Sequence, residues 1–273
     1  MKKVFAVFGD PIEHSLSPVM HNAAFKVLGM DCTYHAFKVS KENLKDAIIG
    51  ANAMGLGGLN LTVPLKEEAL KIVEPHALAA AMGAVNTVDF KEGIRGYNTD
   101  GIGAERALIE AGVKIEGAKV LIVGAGGAAR GICFQLASDG AEVISANRTP
   151  ERAIQLAEDV AVVGNVKGCG LERLDDLIAN ADVLINCTTL GMHPHVESTI
   201  AVAEQMHEDL VVFDIVYNPL KTKLLTEAEK AGAKTVSGVM MLVYQGAEAF
   251  RIWTGVEPPI EVMKEAVMGA LRT

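Results

Sequence analysis

The stretch KVLIVGAGGAARGICFQLASDGAEVISANRT, residues 119–149, constrains the fold of this chain more than any other. Its opening run, VLIV, shows no polar alternation, which fits a strand buried on both faces of a parallel sheet. Glycines then break the pattern, Ala128–Ser138 has the composition of a helix, and a second apolar run follows. Strand, helix and strand within about 30 residues make a crossover unit, which commits the chain to a parallel sheet flanked by helices. The glycine turn adds chemistry. Glycine lets the backbone turn tightly and approach a pyrophosphate, while the helix start offers unpaired N–H groups and the positive end of a dipole. Gly124, Ala125, Gly126, Gly127 and Ala128 are therefore the expected phosphate-binding residues of a dinucleotide site, with Ala129 in place of the third glycine.

The end of the second strand selects between dinucleotides. An Asp or Glu there accepts hydrogen bonds from the ribose of NAD, and it would repel a 2′-phosphate. This chain carries Asn147, Arg148 and Thr149 instead, with Arg152 one helical turn on. A guanidinium can grip a 2′-phosphate and stack on adenine, so the expected cofactor is NADP.

The rest of the chain repeats the alternation. VFAVF (4–8) and TYHAFKV (33–39) read as strands, HNAAFKVLGM (21–30) and residues near 41–53 as helices, and GLGGLNLTV (55–63) as an apolar turn. DVLINCT (182–188), LVVFDIV (210–216) and the shorter TVSGV (235–239) read as further strands. This order predicts an α/β fold with a nucleotide domain over residues 101–238. The helical segment after Gly238 would return to the first domain, which would then comprise residues 1–100 and 239–273. A net charge of −9 with no basic run argues against nucleic acid. No run of 18 apolar residues exists, so no membrane helix is expected. The start, MKKVFAVFGDP, mimics a signal peptide, but Gly9, Asp10 and Pro11 interrupt it too early. Cys32, Cys133, Cys169 and Cys187 form no C-x-x-C and read as buried reduced thiols of a cytoplasmic protein. His193 and His195 have no Cys or Asp beside them, so no metal site is expected.

Four polar patches stand among apolar sequence in the first part of the chain: Ser15 to Pro18, Asn60 to Lys66, Asn86-Thr87, and Asn98 to Gly101. Each has a structural explanation when taken alone. Ser17 suits a helix N-cap ahead of Pro18, Asn86 a turn, and Asp100 the cap of the helix that follows. Together they supply hydroxyls, amides, one ammonium and one carboxylate, a set suited to a small polyhydroxylated ligand. Reduction of a ketone needs a proton as hydride arrives. Lys66 can deliver it, and Asp100 can hold the ammonium and bond a substrate hydroxyl.

SLSPVMHN (15–22), NLTVPLK (60–66), GAVNT (83–87), YNTDGIG (97–103), GAGGAAR (124–130), NRT (147–149) and YQGAEAF (244–250) occur in order along nearly the whole chain. In this set the chain resembles the shikimate dehydrogenase family. The resemblance implies an N-terminal mixed-sheet substrate domain, a Rossmann-type doubly wound NADP-binding domain, a cleft between them and a homodimer. It implies that Ser15, Ser17, Thr62, Lys66, Asn86, Asp100, Tyr217 and Gln245 contact shikimate, with Lys66 as acid/base and Asp100 its partner. It places Ile215, Gly238 and Met241 near the nicotinamide. The family often has Met at the Ile215 position. It also has an acidic residue in the helix between Lys66 and Asn86, where His76 and Leu78 are the nearest positions here.

Two other readings compete. A quinate or dual quinate/shikimate dehydrogenase would need room beside the paired serines for one more hydroxyl. A non-catalytic NADP-binding sensor would have kept the fold, but retention of both Lys66 and Asp100 speaks against it.

Overall fold

The first apolar run of the chain forms strand β1 (Lys3–Gly9) of the computed structural model, which describes residues 2–272. The chain continues through α1 (Ser17–Val27), β2 (Cys32–Lys38), α2 (Leu44–Ala53), β3 (Gly58–Leu61), α3 (Lys66–Ala69), β4 (Glu74–Pro75), α4 (Ala77–Met82), β5 (Thr87–Asp89) and β6 (Arg95–Tyr97). Next come α5 (Asp100–Glu110), β7 (Lys119–Val123), α6 (Gly127–Ser138), β8 (Glu142–Ala146), α7 (Pro150–Val160), β9 (Val166–Cys169) and α8 (Leu174–Ala179). The last elements are β10 (Val183–Asn186), β11 (Val211–Asp214), α9 (Lys223–Lys230), β12 (Lys234–Ser237), α10 (Gly238–Thr254) and α11 (Ile260–Ala270). Residues up to Asp100 and from Val243 onward form one unit, and Gly101–Leu242 form a second.

The first unit is built on a mixed sheet of order β2-β1-β3-β5-β6-β4. Strand β1 pairs in parallel with β2 and β3, whereas β5 runs antiparallel to β3 and β6. The segment read as an apolar turn is in fact β3, and all four of its residues are buried. Its glycines suggested a turn, but they serve close approach. A Cβ at Gly58 would overlap the Trp253 indole, whose Nε1 donates to the Val88 carbonyl at 2.9 Å. Trp253, near the end of α10, thereby packs the returning C-terminal helix onto this sheet among Phe5, Phe25 and Phe250.

His21 of α1 lies inside the same cluster, fully buried and stacked on Tyr34 with ring centroids 4.4 Å apart. Neither ring nitrogen has a hydrogen-bond partner among the described residues. Burial pushes its pKa from 6.5 down to about 3. The folded state therefore keeps His21 neutral while the unfolded chain protonates it below pH 6.5, so the unfolded state binds more protons across pH 3–6.5. Stability should fall there by ~1.4 kcal/mol per pH unit from this residue alone. In urea unfolding at pH 7 and pH 5, His21→Phe is expected to gain about 2 kcal/mol on the parent between the two conditions. A difference that does not move with pH would contradict this.

The second unit is a wholly parallel sheet of order β12-β11-β10-β7-β8-β9, with the switch in winding direction between β7 and β10. This is the doubly wound Rossmann arrangement, and its ligands bind beyond the carboxyl ends of the strands at that switch. One core cluster packs Leu121, Val123, Leu184 and Val212 against Ile178, Leu224 and Leu225. The last strand is shorter than expected: it ends at Ser237, and Gly238 already opens α10. Only Cys133 is buried, and burial pushes its thiol up to about 12. Cys32, Cys169 and Cys187 are half-buried rather than buried, because two belong to edge strands and one to a turn, and the four form no disulfide among the described residues. No helix among the described residues is long and apolar enough to cross a membrane.

Candidate active site

The strand registers gather the four polar patches on one sheet edge. Phe8 of β1 pairs with Leu61 of β3, so the parallel strands β1 and β3 end side by side. Asn60 pairs with Thr87 and Thr87 with Tyr97, so β5 begins and β6 ends at that same edge. Residues that follow β1, β3 and β6, and those that precede β5, must therefore cluster.

Lys66, the first residue of α3, and Asp100, the first of α5, meet there. Lys66 Nζ lies 2.7 Å from Asp100 Oδ2, with side chains 14% and 4% exposed. The other carboxylate oxygen accepts from Asn86 Nδ2 at 2.9 Å. Asn86 Nδ2 also lies 3.0 Å from Thr99 Oγ1 and 3.5 Å from Gln245 Oε1, while its own Oδ1 accepts from the Thr99 amide. The ends of these residues are tied to the backbone as well: the Val85 amide donates to the Lys66 carbonyl at 2.8 Å. Asp100 does not cap α5 through its side chain, as one structural reading of the sequence had it. Asn98 Oδ1 accepts from the Asp100 amide, which leaves the carboxylate to Lys66 and Asn86 at a helix start that favours an anion.

Ser17 is likewise no N-cap. It is the first helical residue after Leu16, and it is buried on this edge. Tyr34 donates to Asn60 Oδ1 at 2.7 Å, and Asn60 Nδ2 donates to the Asn86 carbonyl and to Thr87 Oγ1. Burial holds the Tyr34 phenol well above its ordinary range, so it stays a neutral donor. The structure thus brings Lys66, Asp100, Asn86 and Gln245 into contact, and Asn60 and Tyr34 extend that network, while Ser17 is buried on the same edge outside it. Ser15 and Thr62 are half-buried on the same edge outside that network among the described residues. Tyr217 belongs to the second unit, three residues beyond β11. His76 caps α4 and stacks on Tyr97, and Leu78 is exposed. Tyr34 was missed by sequence reasoning because it sits mid-strand in an apolar run, where an aromatic signals only core.

In the second unit the expected cofactor residues line the carboxyl edge of the sheet. Gly124 has φ +124°, and a Cβ there would lie 2.9 Å from the Cys187 carbonyl oxygen, so only glycine fits. Gly126, which precedes α6, has open space where its Cβ would be, as close approach of a phosphate requires. Gly127 and Ala128 open α6 beside Ala125, and Ala129 is fully buried at the helix–sheet contact that the third glycine usually makes. Beyond β8, Asn147 Nδ2 donates to the Thr149 carbonyl and shapes a turn that presents Arg148. Arg148 is exposed and has no ion pair among the described residues, and Thr149 precedes α7 without spending its side chain as a cap. Arg152 is also exposed, one turn into α7. Ile215 follows β11, and Gly238 packs directly on the Ile215 carbonyl, where a Cβ would collide. Met241 is buried one turn into α10. The His193–His195 segment is a loop, and no group of three or more His, Cys, Asp or Glu side chains suited to a metal ion occurs among the described residues.

Three family models match successive parts of the chain. They are the shikimate dehydrogenase substrate binding domain over residues 7–88, shikimate/quinate 5-dehydrogenase over 105–223, and the shikimate 5′-dehydrogenase C-terminal domain over 238–268. A protein of Methanosarcina acetivorans named shikimate dehydrogenase (NADP+) is 64% identical over 279 residues, covering 100% of both chains. A crystal structure of a shikimate dehydrogenase in complex with NADP+ superposes with a TM-score of 0.92 at 47% identity, covering 99% of this chain and 96% of that one. The Thermus thermophilus enzyme in complex with NADP(H) and shikimate gives a TM-score of 0.89 at 39% identity, covering 98% of this chain and 100% of that one. The chain belongs to the shikimate dehydrogenase family.

Proposed function

We propose that this protein is an NADP-dependent shikimate dehydrogenase, which reversibly reduces 3-dehydroshikimate to shikimate in the route to chorismate and the aromatic amino acids. The observation that carries the reading is the 2.7 Å ion pair of Lys66 and Asp100 within a buried array of amides and hydroxyls. Bound NADPH supplies a hydride to the ketone carbon. Lys66 delivers a proton to the oxygen that becomes the hydroxyl, so the C=O bond gains one hydride and one proton and charge balances. In the reverse direction Lys66 Nζ takes that proton back. Asp100 holds the ammonium in place, and its remaining lone pairs accept from a substrate hydroxyl. Asn86 fixes the other carboxylate oxygen, and Ser15, Ser17, Thr62, Tyr217 and Gln245 supply the remaining substrate contacts.

The residues of the second unit fit NADP. The glycine turn and the α6 start would hold the pyrophosphate, with Asn147, Arg148, Thr149 and Arg152 at the 2′-phosphate and adenine, and Ile215, Gly238 and Met241 at the nicotinamide. Residues 1–100 with 239–273 would then be the substrate-binding domain and 101–238 the NADP-binding domain. The family resemblance, with four thiols free of disulfides, supports a cytoplasmic homodimer.

The test is the rate of coenzyme reduction with shikimate and with quinate, each with NADP+ and NAD+. Shikimate with NADP+ is expected to give the largest kcat/KM, by about tenfold or more. Preference for quinate would shift the assignment to quinate dehydrogenase, and no turnover of either acid would leave a coenzyme sensor.

A further inference from the structure

LVVFDIV places a carboxylate at the end of an otherwise apolar strand, and nothing in the chemistry above uses it. Asp214 ends β11 fully buried, and no cation pairs with it among the described residues. It accepts three hydrogen bonds. Oδ1 takes Asn186 Nδ2 at 2.9 Å and the Val216 amide at 3.0 Å, and Oδ2 takes Thr222 Oγ1 at 2.6 Å. Burial pushes its pKa up to about 6, against the pull of those donors. A buried carboxyl without a counter-charge costs stability, so its place in the fold calls for a use.

The clasp joins the turns that follow β10 and β11, where the Ile215 amide also donates to the Asn186 carbonyl at 3.2 Å. Asn186 Oδ1 accepts from both the amide and the hydroxyl of Thr188, which shapes the turn after β10. Thr222 also caps α9 by accepting from the Leu225 amide, so Asp214 ties that helix start to the end of β11. On one side the Cys187 carbonyl supports Gly124, and on the other Gly238 lies against the Ile215 carbonyl. The Asn186–Asp214 bond thereby ties the carboxyl ends of β10 and β11, and the residues that follow them lie against Gly124 after β7 and Gly238 after β12.

We infer that Asp214 and Asn186 are positioning residues that set the backbone on which the nicotinamide end of NADP rests, acting through Ile215 and the Cys187–Thr188 turn. This rests on the coenzyme site proposed above. The adenine end, at the turn after β8, lies on strands that the clasp does not touch.

The pair is testable by separating the two ends of the coenzyme. Asp214→Asn keeps the shape but puts an NH2 where one oxygen stood, so either Thr222 or the Asn186–Val216 side loses its acceptor. Calorimetry should show adenosine 2′,5′-bisphosphate, which lacks the nicotinamide, binding within about twofold of the parent. The Kd of NADP+ should rise about fivefold or more, and kcat should fall about tenfold or more at saturation. Asn186→Ala should split the two ligands in the same sense, and it carries the test if Asp214→Asn does not fold. Unchanged NADP+ affinity and kcat would overturn the inference. So would parallel weakening of both ligands, which would make Asp214 a general support of the sheet. If the parent fails to oxidise shikimate yet the two affinities still split, the clasp stands and the functional reading falls.

Discussion

Lys66→Ala is expected to lower kcat for shikimate oxidation by roughly 10²–10⁴-fold, the span that general acid–base groups typically contribute, while KM for shikimate changes only severalfold. Lys66 Nζ is the one ammonium of the buried array, and its carboxylate partner keeps a second anchor in Asn86 when the lysine is removed. Substrate hydroxyls can still be held by Asn86, Asp100 and Gln245, so binding should survive better than chemistry. Removing one member of a buried ion pair also destabilises the fold. The assay therefore belongs well below the thermal midpoint of the variant. Turnover within severalfold of the parent would take Lys66 out of proton transfer.

Arg148→Ala is expected to raise KM for NADPH about tenfold to a hundredfold, the cost of losing charge-assisted hydrogen bonds to a phosphate. KM for NADH should change little, because it carries no 2′-phosphate. Arg148 is the suitable group: it stands exposed at the end of β8, is committed to no ion pair among the described residues, and adjoins the start of α7. Arg130 is a poorer candidate, since it pairs with Asp159. Equal losses for both coenzymes would place the 2′-phosphate elsewhere.

The second unit was easier to read from sequence than the first. VLIV, the glycine turn and the helix after it form one continuous pattern, and local sequence decides each of them. The first unit hides short strands. β4, β5 and β6 have only two or three residues each, and β3 opens on Gly58 directly after Gly57, a glycine pair that local rules assign to a turn. Their strand state comes from tertiary partners such as Trp253, which lies far along the chain. The same holds for the site. Lys66 and Asp100 were legible because a charged group at the edge of apolar sequence stands out, whereas the roles of Ser17 and Asp100 as caps were wrong. Ser17 is already inside the helix, with Leu16 at the cap position, and the Asp100 side chain found its partner 34 positions away in Lys66. Tyr34, Asn186 and Thr222 carried no sequence signal beyond ordinary strand and turn residues, since their importance lies in what they touch.

The coupling of Lys66 and Asp100 is tested most directly by a double-mutant cycle on kcat with Lys66→Ala, Asp100→Ala and the pair together. Groups that act as one device lose their function when either is removed. The double variant is expected to be about as slow as the slower single variant. Losses that multiply would mean that the ammonium and the carboxylate work independently, and the 2.7 Å contact between them would then be incidental to the reaction.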